Sequence, residues 1–478
     1  MAVAAIRVRQ VNEAPVRPER AYVLYWMTSA RRLRWNHALD HALAHARALG
    51  RPLLVLEALR VNYPWASERL HAFVCEGMVD NAARAAAAGV TYLPYVERAD
   101  GEGRGLLAAL AGSAAIVVTD VFPTYFLPHM LEAAGRSLDV RLEAVDSNGV
   151  LPLAQAGRTF TMAQHFRRHL HKTVMPWLQA RPVSDPLAAA VGGRAQVPQD
   201  VARRWSFEIP DVGALGLPGP RRVAARGGSV AAEAKLAAFL RGPLGRYAED
   251  RNEPDVVAST GLSPALHFGH VSAHEVVAAV MDREGWSASS VKAEHLASRE
   301  GFWGLSAPAE AFVDEIVTWR ELAYNDAWER PEAHRQYDGL PAFALATLDK
   351  HRHDHRPVVY DLPTLDAART HDPLWNAAQR QLVREGVIHN YLRMLWGKKV
   401  LEWSTSPEEA FQTLVELNNR YALDGRNPNS WSGIAWCFGR FDRAWGPERP
   451  IFGTVRYMSS DNTARKLDVK AYLRRYAA

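Results

Sequence analysis

Through the first third of the chain, short apolar runs alternate with amphipathic ones. Tyr22 to Trp26 is a continuous apolar run of strand length, followed by an Ala/His/Leu-rich helical stretch from about Asn36 to Leu49 that Gly50 stops. Pro52 to Leu56 reads as a second strand, and helical patterning returns over His71 to Ala88 and Gly105 to Ala111. Further strands are predicted at Thr91–Val96, Ile116–Thr119 and Val140–Val145. Apolar strands interleaved with helices predict a doubly wound parallel sheet. No Gly-rich dinucleotide fingerprint is present, so pattern alone puts no nucleotide on it.

From about Pro182 to Gly228 periodicity fades into Pro, Gly and Arg, the composition of an interdomain connection. From Val230 onward nearly everything has helical spacing. The predicted organisation is an N-terminal extension (1–20), an α/β domain (21–165), a linker (166–229) and an all-α domain (230–478).

The helical half carries clear start signals. Ser263-Pro264 opens a helix, Ser272 with Glu275 forms a capping box, Asp372 caps a helix beginning at Pro373, and Ser406 to Glu409 is a second capping box. Gly386 breaks the pattern before a run from Val387 to Trp403. An apolar helix of roughly Ala309 to Ala327 presents Glu315 and Trp319 on one face, with Glu321 on another as the second choice for a pocket carboxyl. Trp396 and Trp403 lie seven residues apart, roughly 10 Å along one helix face. Trp375 opens the preceding helix, which an αα-hairpin lays alongside. Three indoles in file are a route for single electrons, although a Trp stripe at this spacing is also ordinary core.

At 478 residues with 48% apolar composition, the chain has room for two domains, or one large one plus a linker. No apolar run is long enough to span a membrane, the first twenty residues lack a signal-peptide core, and Cys75 and Cys437 are too few for a disulfide framework or a zinc site. A soluble, cytoplasmic protein is expected. The net charge of +5 is mild, but Arg and Lys gather among aromatics in the last quarter, which matters more for nucleic acid. His165, His169 and His171 sit among Arg167 and Arg168 with no carboxylate near in sequence, so a solvated helix face is expected there. Arg352 and Arg356 similarly argue against a metal at His351, His353, Asp354 and His355. No metal site is predicted.

The run His371 to Gln379 (HDPLWNAAQ), the run Tyr391 to Trp403 (YLRMLWGKKVLEW) and the ending Phe452 to Met458 (FGTVRYM) resemble signatures of the class II cyclobutane pyrimidine dimer photolyases, within the photolyase/cryptochrome family. The likeness spans most of the chain. It implies an antenna-type α/β domain followed by an all-α FAD-binding domain, and light-driven repair of pyrimidine dimers by electron transfer from reduced, anionic FAD. By the same match, Tyr247, Thr260, Gly261, Leu262, Ser263, Asn376, Arg393, Asn418, Asp424 and Gly425 hold the flavin. Glu315, Trp319, Trp436, Tyr391 and Met394 form the dimer pocket, with the Asn418 amide facing the flavin ring. Arg251, Asn252, Arg443 and Arg456, with the two pocket tryptophans, meet DNA. The electron relay runs Trp396, Trp375, Trp403. An antenna chromophore of deazaflavin or folate type is implied near Tyr25-Trp26-Met27 and Arg31. The expected partner is double-stranded DNA containing pyrimidine dimers, met by a monomer that is nucleoid-associated when bound.

Two rivals remain at this stage: a cryptochrome-like blue-light sensor without repair activity, and a light-independent helical nucleic-acid-binding protein. Retention of Glu315, Trp436, Arg443 and Arg456 favours repair. The Gly285–Ala309 stretch is longer than the resemblance accounts for, and a surface insertion is expected.

Overall fold

The computed structural model describes residues 2–478. Its sheet has six strands: β1 (Val8–Gln10), β2 (Tyr22–Met27), β3 (Leu53–Leu59), β4 (Thr91–Val96), β5 (Ala114–Asp120) and β6 (Leu142–Val145), in the order β1-β6-β5-β2-β3-β4. All neighbours are parallel except β1, which runs antiparallel to β6. Every residue of β2 is buried, as a strand covered on both faces requires. Tyr22, Leu24 and Trp26 enter the core on one face, and Val23, Tyr25 and Met27 enter the core under helix α1 (His37–Leu49) on the other. Asn36 caps α1 by accepting from the amides of Ala38 and Leu39, and Gly50 ends it in the left-handed region.

The expected parallel sheet is therefore present, with one addition. Residues within the expected N-terminal extension (1–20) supply the antiparallel edge strand β1. Just before it, the Arg7 side chain is almost fully buried and donates to the carbonyls of Asp146, Gly149 and Val150. Three residues, one of them a charged Arg9, are too few to show a period.

The direction of winding reverses between β2 and β5, which opens a crevice beyond their carboxyl ends. There Asp120 accepts hydrogen bonds from the amides of Thr28, Ser29 and Ala30 and from the Tyr25 hydroxyl, all between 2.8 and 3.0 Å. Gly269 of the helical half presses on the same turn, where a Cβ would stand 1.9 Å from the Ser29 carbonyl oxygen, and its φ of +76° also favours glycine. Arg32 donates to the Gly269 carbonyl at 2.9 Å.

The helical half has two cores. One is built around the helices Pro373–Glu385, Asn390–Trp403, Pro407–Tyr421 and Pro428–Cys437, the other around Ala273–Arg283 and Ala307–Asp314. Several local expectations need correction. The helix Ala163–Thr173 is solvated on one face only: His165 and Arg168 are exposed, but Arg167 and His171 are buried with Phe166 and Leu170. Arg167 pairs with Asp314 at 2.8 Å, and His171 stacks on Phe302 with ring centroids 3.6 Å apart. Burial pushes the His171 imidazole down to about 4. The partner carboxylate lies 147 residues away, beyond any local reading.

Gly285–Ala309 is largely exposed, as a surface segment should be, but it is anchored to the core. Phe302 and Trp303 are buried, and the Glu310 carboxylate fastens the segment by accepting from the amides of Trp303 and Gly304. The two capping boxes are not alike in detail, and the Ser406 box does not close reciprocally. Ser272 and Ser406 do cap their helices, but Glu275 pairs with Arg34, and Glu409 accepts from the Thr405 amide, one residue off register. Among the described residues, no helix is long and apolar enough to cross a membrane.

Candidate active site

Between the helices of the second half lies a cavity of about 490 Å³. Its wall begins with a change of helical pitch. The helix Ala307–Asp314 passes into a single π-helical turn, Glu315–Trp319, closed by the Arg320 amide donating to the Glu315 carbonyl, before α-helix resumes at Arg320. Such turns insert one residue into a helix and are frequent at functional sites. Here the turn brings both Glu315 and Trp319 to the cavity.

Glu315 accepts from the Arg251 guanidinium at 2.9 Å. Burial raises its carboxyl above the ordinary range, while Arg251 works against the shift. Trp319 meets Trp436 with centroids 4.9 Å apart and planes tilted by 35°. The two rings thus form adjoining panels of one corner, since that spacing admits no base between them. Arg167 and Arg299 lie over Trp319 at 5.7 and 5.9 Å. Arg299 comes from the Gly285–Ala309 segment and was not among the expected site residues. Glu321, the second candidate carboxyl, does not reach the cavity. It accepts from the amides of Val150 and Leu151 at 2.6 and 2.9 Å, and burial pushes it up to about 7.

The opposite wall belongs to Asn390–Trp403, which contributes Tyr391, Arg393 and Met394. Arg393 donates to both Asp424 oxygens, at 3.2 and 3.4 Å, and the Ser263 hydroxyl donates to Asp424 at 2.7 Å. Burial alone would raise the Asp424 carboxyl, but Arg393 and Ser263 outweigh it and hold it below the usual range. Ser263 opens its helix without capping it and turns its hydroxyl to Asp424 instead.

Arg251, Asn252, Ser263, Asp424 and Arg456 line the cavity too. Tyr247, Thr260, Gly261, Leu262, Asn376, Asn418 and Gly425 do not. Tyr247 packs on Phe239 and Phe312, and the Thr260 hydroxyl accepts from the Leu262 amide. Asn376 bonds to Thr370. Asn418 sits one layer behind the wall, donating at 2.5 Å to Ser430, which does line it. Arg443 lies outside the cavity. With Arg456 it flanks the exposed Trp445, at 4.7 and 5.2 Å from that ring. The resemblance named both arginines; Trp445 was signalled only by the run of aromatics and arginines around it.

Behind Arg393 run three buried indoles. Trp375 lies parallel to Trp396 at 6.4 Å and meets Trp403 edge-on at 5.6 Å. The Trp375 indole donates to the Trp396 carbonyl and the Trp396 indole to Gln379. The file therefore passes through Trp375.

A second cavity of about 460 Å³ occupies the crevice at the reversal of the sheet, lined by Trp26, Arg31, Tyr63, Tyr95, Phe122 and Phe126. Tyr25 and Met27 point to the other face. His267 lines both cavities, and burial holds its imidazole far below the ordinary range. His267 Nδ1 and Arg393 Nε are buried without a hydrogen-bond partner in the protein. Orphaned nitrogens beside an aromatic-rimmed, cation-bearing cavity suit a planar polar cofactor such as a flavin.

No family model matches the chain. Full-length relatives do. Over 476 residues it is 33% identical to the deoxyribodipyrimidine photo-lyase of Methanothermobacter thermautotrophicus, with 98% of each chain covered. Over 484 residues it is 34% identical to that of Oryza sativa subsp. japonica, covering 98% of this chain and 89% of the relative. Among solved structures, a class III photolyase from Agrobacterium tumefaciens matches with a TM-score of 0.69 at 19% identity, over 96% of this chain and 86% of that one. The sheet followed by a helical body is thus the photolyase fold. The chain belongs to the deoxyribodipyrimidine photo-lyase family.

Proposed function

We propose that this protein repairs cyclobutane pyrimidine dimers in DNA with light, as a class II-type enzyme that uses reduced, anionic FAD. The observation that carries the reading is one cavity holding both the Arg393–Asp424–Ser263 group and the Glu315–Trp319–Trp436 corner. In this reading residues 230–478 are the catalytic unit, 21–165 the antenna-type unit and 166–229 the connection between them.

When bound, the flavin would supply the light-driven one-electron chemistry that reopens the dimer. Arg393 is the cation that would favour an anionic ring, with its own charge partly balanced by Asp424. Asn418 would act through Ser430, orienting that hydroxyl toward the cofactor. Trp319 and Trp436 would receive an extrahelical dimer against the aromatic corner they form, excluding water. The Glu315 carboxyl, pushed upward by burial, can donate or accept a hydrogen bond at a pyrimidine edge, while Arg251 fixes its direction. A damaged base pair leaves the duplex more readily than an intact one. Trp445, with Arg443 and Arg456 on either side, is suited to filling the gap and meeting phosphates. The indole file would return the flavin to its reduced state by carrying electrons toward the cavity. The cavity at the sheet reversal would take the antenna chromophore against Trp26, with His267 between the two pigments.

Illumination of the chemically reduced protein with a duplex containing one thymine dimer tests the reading: thymines should be restored in light and not in darkness. Persistence of the dimer under light, with flavin bound, would point to a sensor instead.

A further inference from the structure

Neither cavity includes the cluster formed by His41, His45 and Glu143. His41 and His45 stand one turn apart on α1, and Glu143 projects from β6 on the face that α1 covers. Both Nε2 atoms reach the same oxygen, Glu143 Oε2, at 2.7 and 3.0 Å, and lie 3.2 Å from one another. The imidazoles are nearly perpendicular, at 84°, so two edges converge on one point. Glu143 Oε2 can accept from both rings only when each carries its N–H on Nε2, which brings two like donors to within 3.2 Å of one another. With either ring in the other tautomer, one contact to the carboxylate loses its hydrogen.

Two imidazole nitrogens and one carboxylate oxygen constitute a common donor set for a divalent transition metal. Metal–ligand bonds of 2.0–2.1 Å at tetrahedral angles put the donor atoms about 3.3 Å apart. The present triangle, with sides of 2.7, 3.0 and 3.2 Å, needs to open by about 0.6 Å at most. The side chains of His41, His45 and Glu143 are 18, 26 and 14% exposed, which leaves an approach from solvent and a fourth position for water. Arg141 stands 3.9 Å from the other oxygen, Glu143 Oε1. There it opposes the cation somewhat while favouring coordination through Oε2 alone.

We propose that His41, His45 and Glu143 form a binding site for a divalent transition metal, Zn(II) in the first instance, that ties α1 to β6. Because Glu143 is the register partner of Gln10 in β1, the tie would also steady the edge strand. It is remote from the flavin cavity and would not take part in repair.

The test uses tag-free, flavin-containing full-length protein dialysed against chelator, titrated calorimetrically with Zn(II) and followed by difference spectra with Co(II). One equivalent should bind, with four-coordinate Co(II) bands that Zn(II) displaces, and Zn(II) should raise Tm. The His41→Gln/His45→Gln variant should lose the saturable phase and the Tm response while repairing dimers at the normal rate. Should that pair fold poorly, His45→Gln alone, at the most exposed ligand, gives the same readout. Absence of saturable binding to the native protein, or unchanged stoichiometry in the variant, would overturn the site.

Discussion

Replacing Arg393 with leucine asks how much of the flavin site rests on one cation. The guanidinium contacts both oxygens of Asp424, and the two side chains are 24 and 10% exposed. Removing one member of a fully buried pair costs about 3–5 kcal/mol, whereas an exposed pair is worth less than about 1 kcal/mol. Partial exposure and the surviving Ser263 bond bring the expected loss to about 2–3 kcal/mol. For a unit of this size that lowers Tm by about 4–12 °C. The Asp424 carboxyl, without its cation, should also rise. Thermal unfolding followed by circular dichroism, together with flavin absorbance after gel filtration, reads both effects. Flavin retention should fall in Arg393→Leu and recover partly in Arg393→Lys, which keeps the charge but not the fork. Measuring stability with and without added FAD separates loss of the ion pair from loss of ligand stabilisation. Full flavin occupancy with a Tm change below about 1 °C would mean that Arg393–Asp424 behaves as a surface pair, and the account of the site would fail.

Trp375→Phe should abolish photoreduction of oxidised flavin, because Trp396 and Trp403 then lose the ring between them, yet spare repair by chemically reduced protein. Undiminished photoreduction would remove Trp375 from the route. Single Arg443→Ala and Arg456→Ala variants should each weaken dimer-DNA binding and flatten the log–log salt dependence by about one unit, measured by fluorescence anisotropy. An unchanged slope would place those side chains away from phosphate. Burial lowers the imidazoles of His270 to about 3 and of His171 and His334 to about 4. Their stabilisation is therefore whole above the unfolded value near pH 6.5 and is lost as pH falls toward 4. Glu321 at about 7 and Asp40 at about 6 act in the opposite sense, losing stabilisation as pH rises, but their summed shifts are smaller. Urea midpoints should thus fall between pH 7 and 5, and a flat profile would contradict the neutral buried histidines.

What sequence could reveal followed the range of the forces involved. Asn36, Asp372 and the indole spacing are local, and each predicted an element or a file that the structure contains. Arg167 and His171 looked solvated because Asp314 and Phe302, which neutralise and cover them, are remote in the chain. Arg299 could not be assigned to the cavity from a segment without helical or strand spacing. Asn418 lies within a helix that was correctly foreseen, but only packing decides whether a side chain forms the wall or stands behind it. The resemblance supplied what periodicity could not: which of the aromatic and charged residues belong to one site.

Strand β1 has a consequence for biosynthesis. Its partner β6 and the carbonyls that receive Arg7 follow it out of the ribosome only about 139 residues later. At ordinary translation rates of 5–20 residues per second, that is a wait of about 7–28 s. During that time a basic N-terminal segment has no native place to go, and the growing sheet keeps an open edge for neighbouring nascent chains to find.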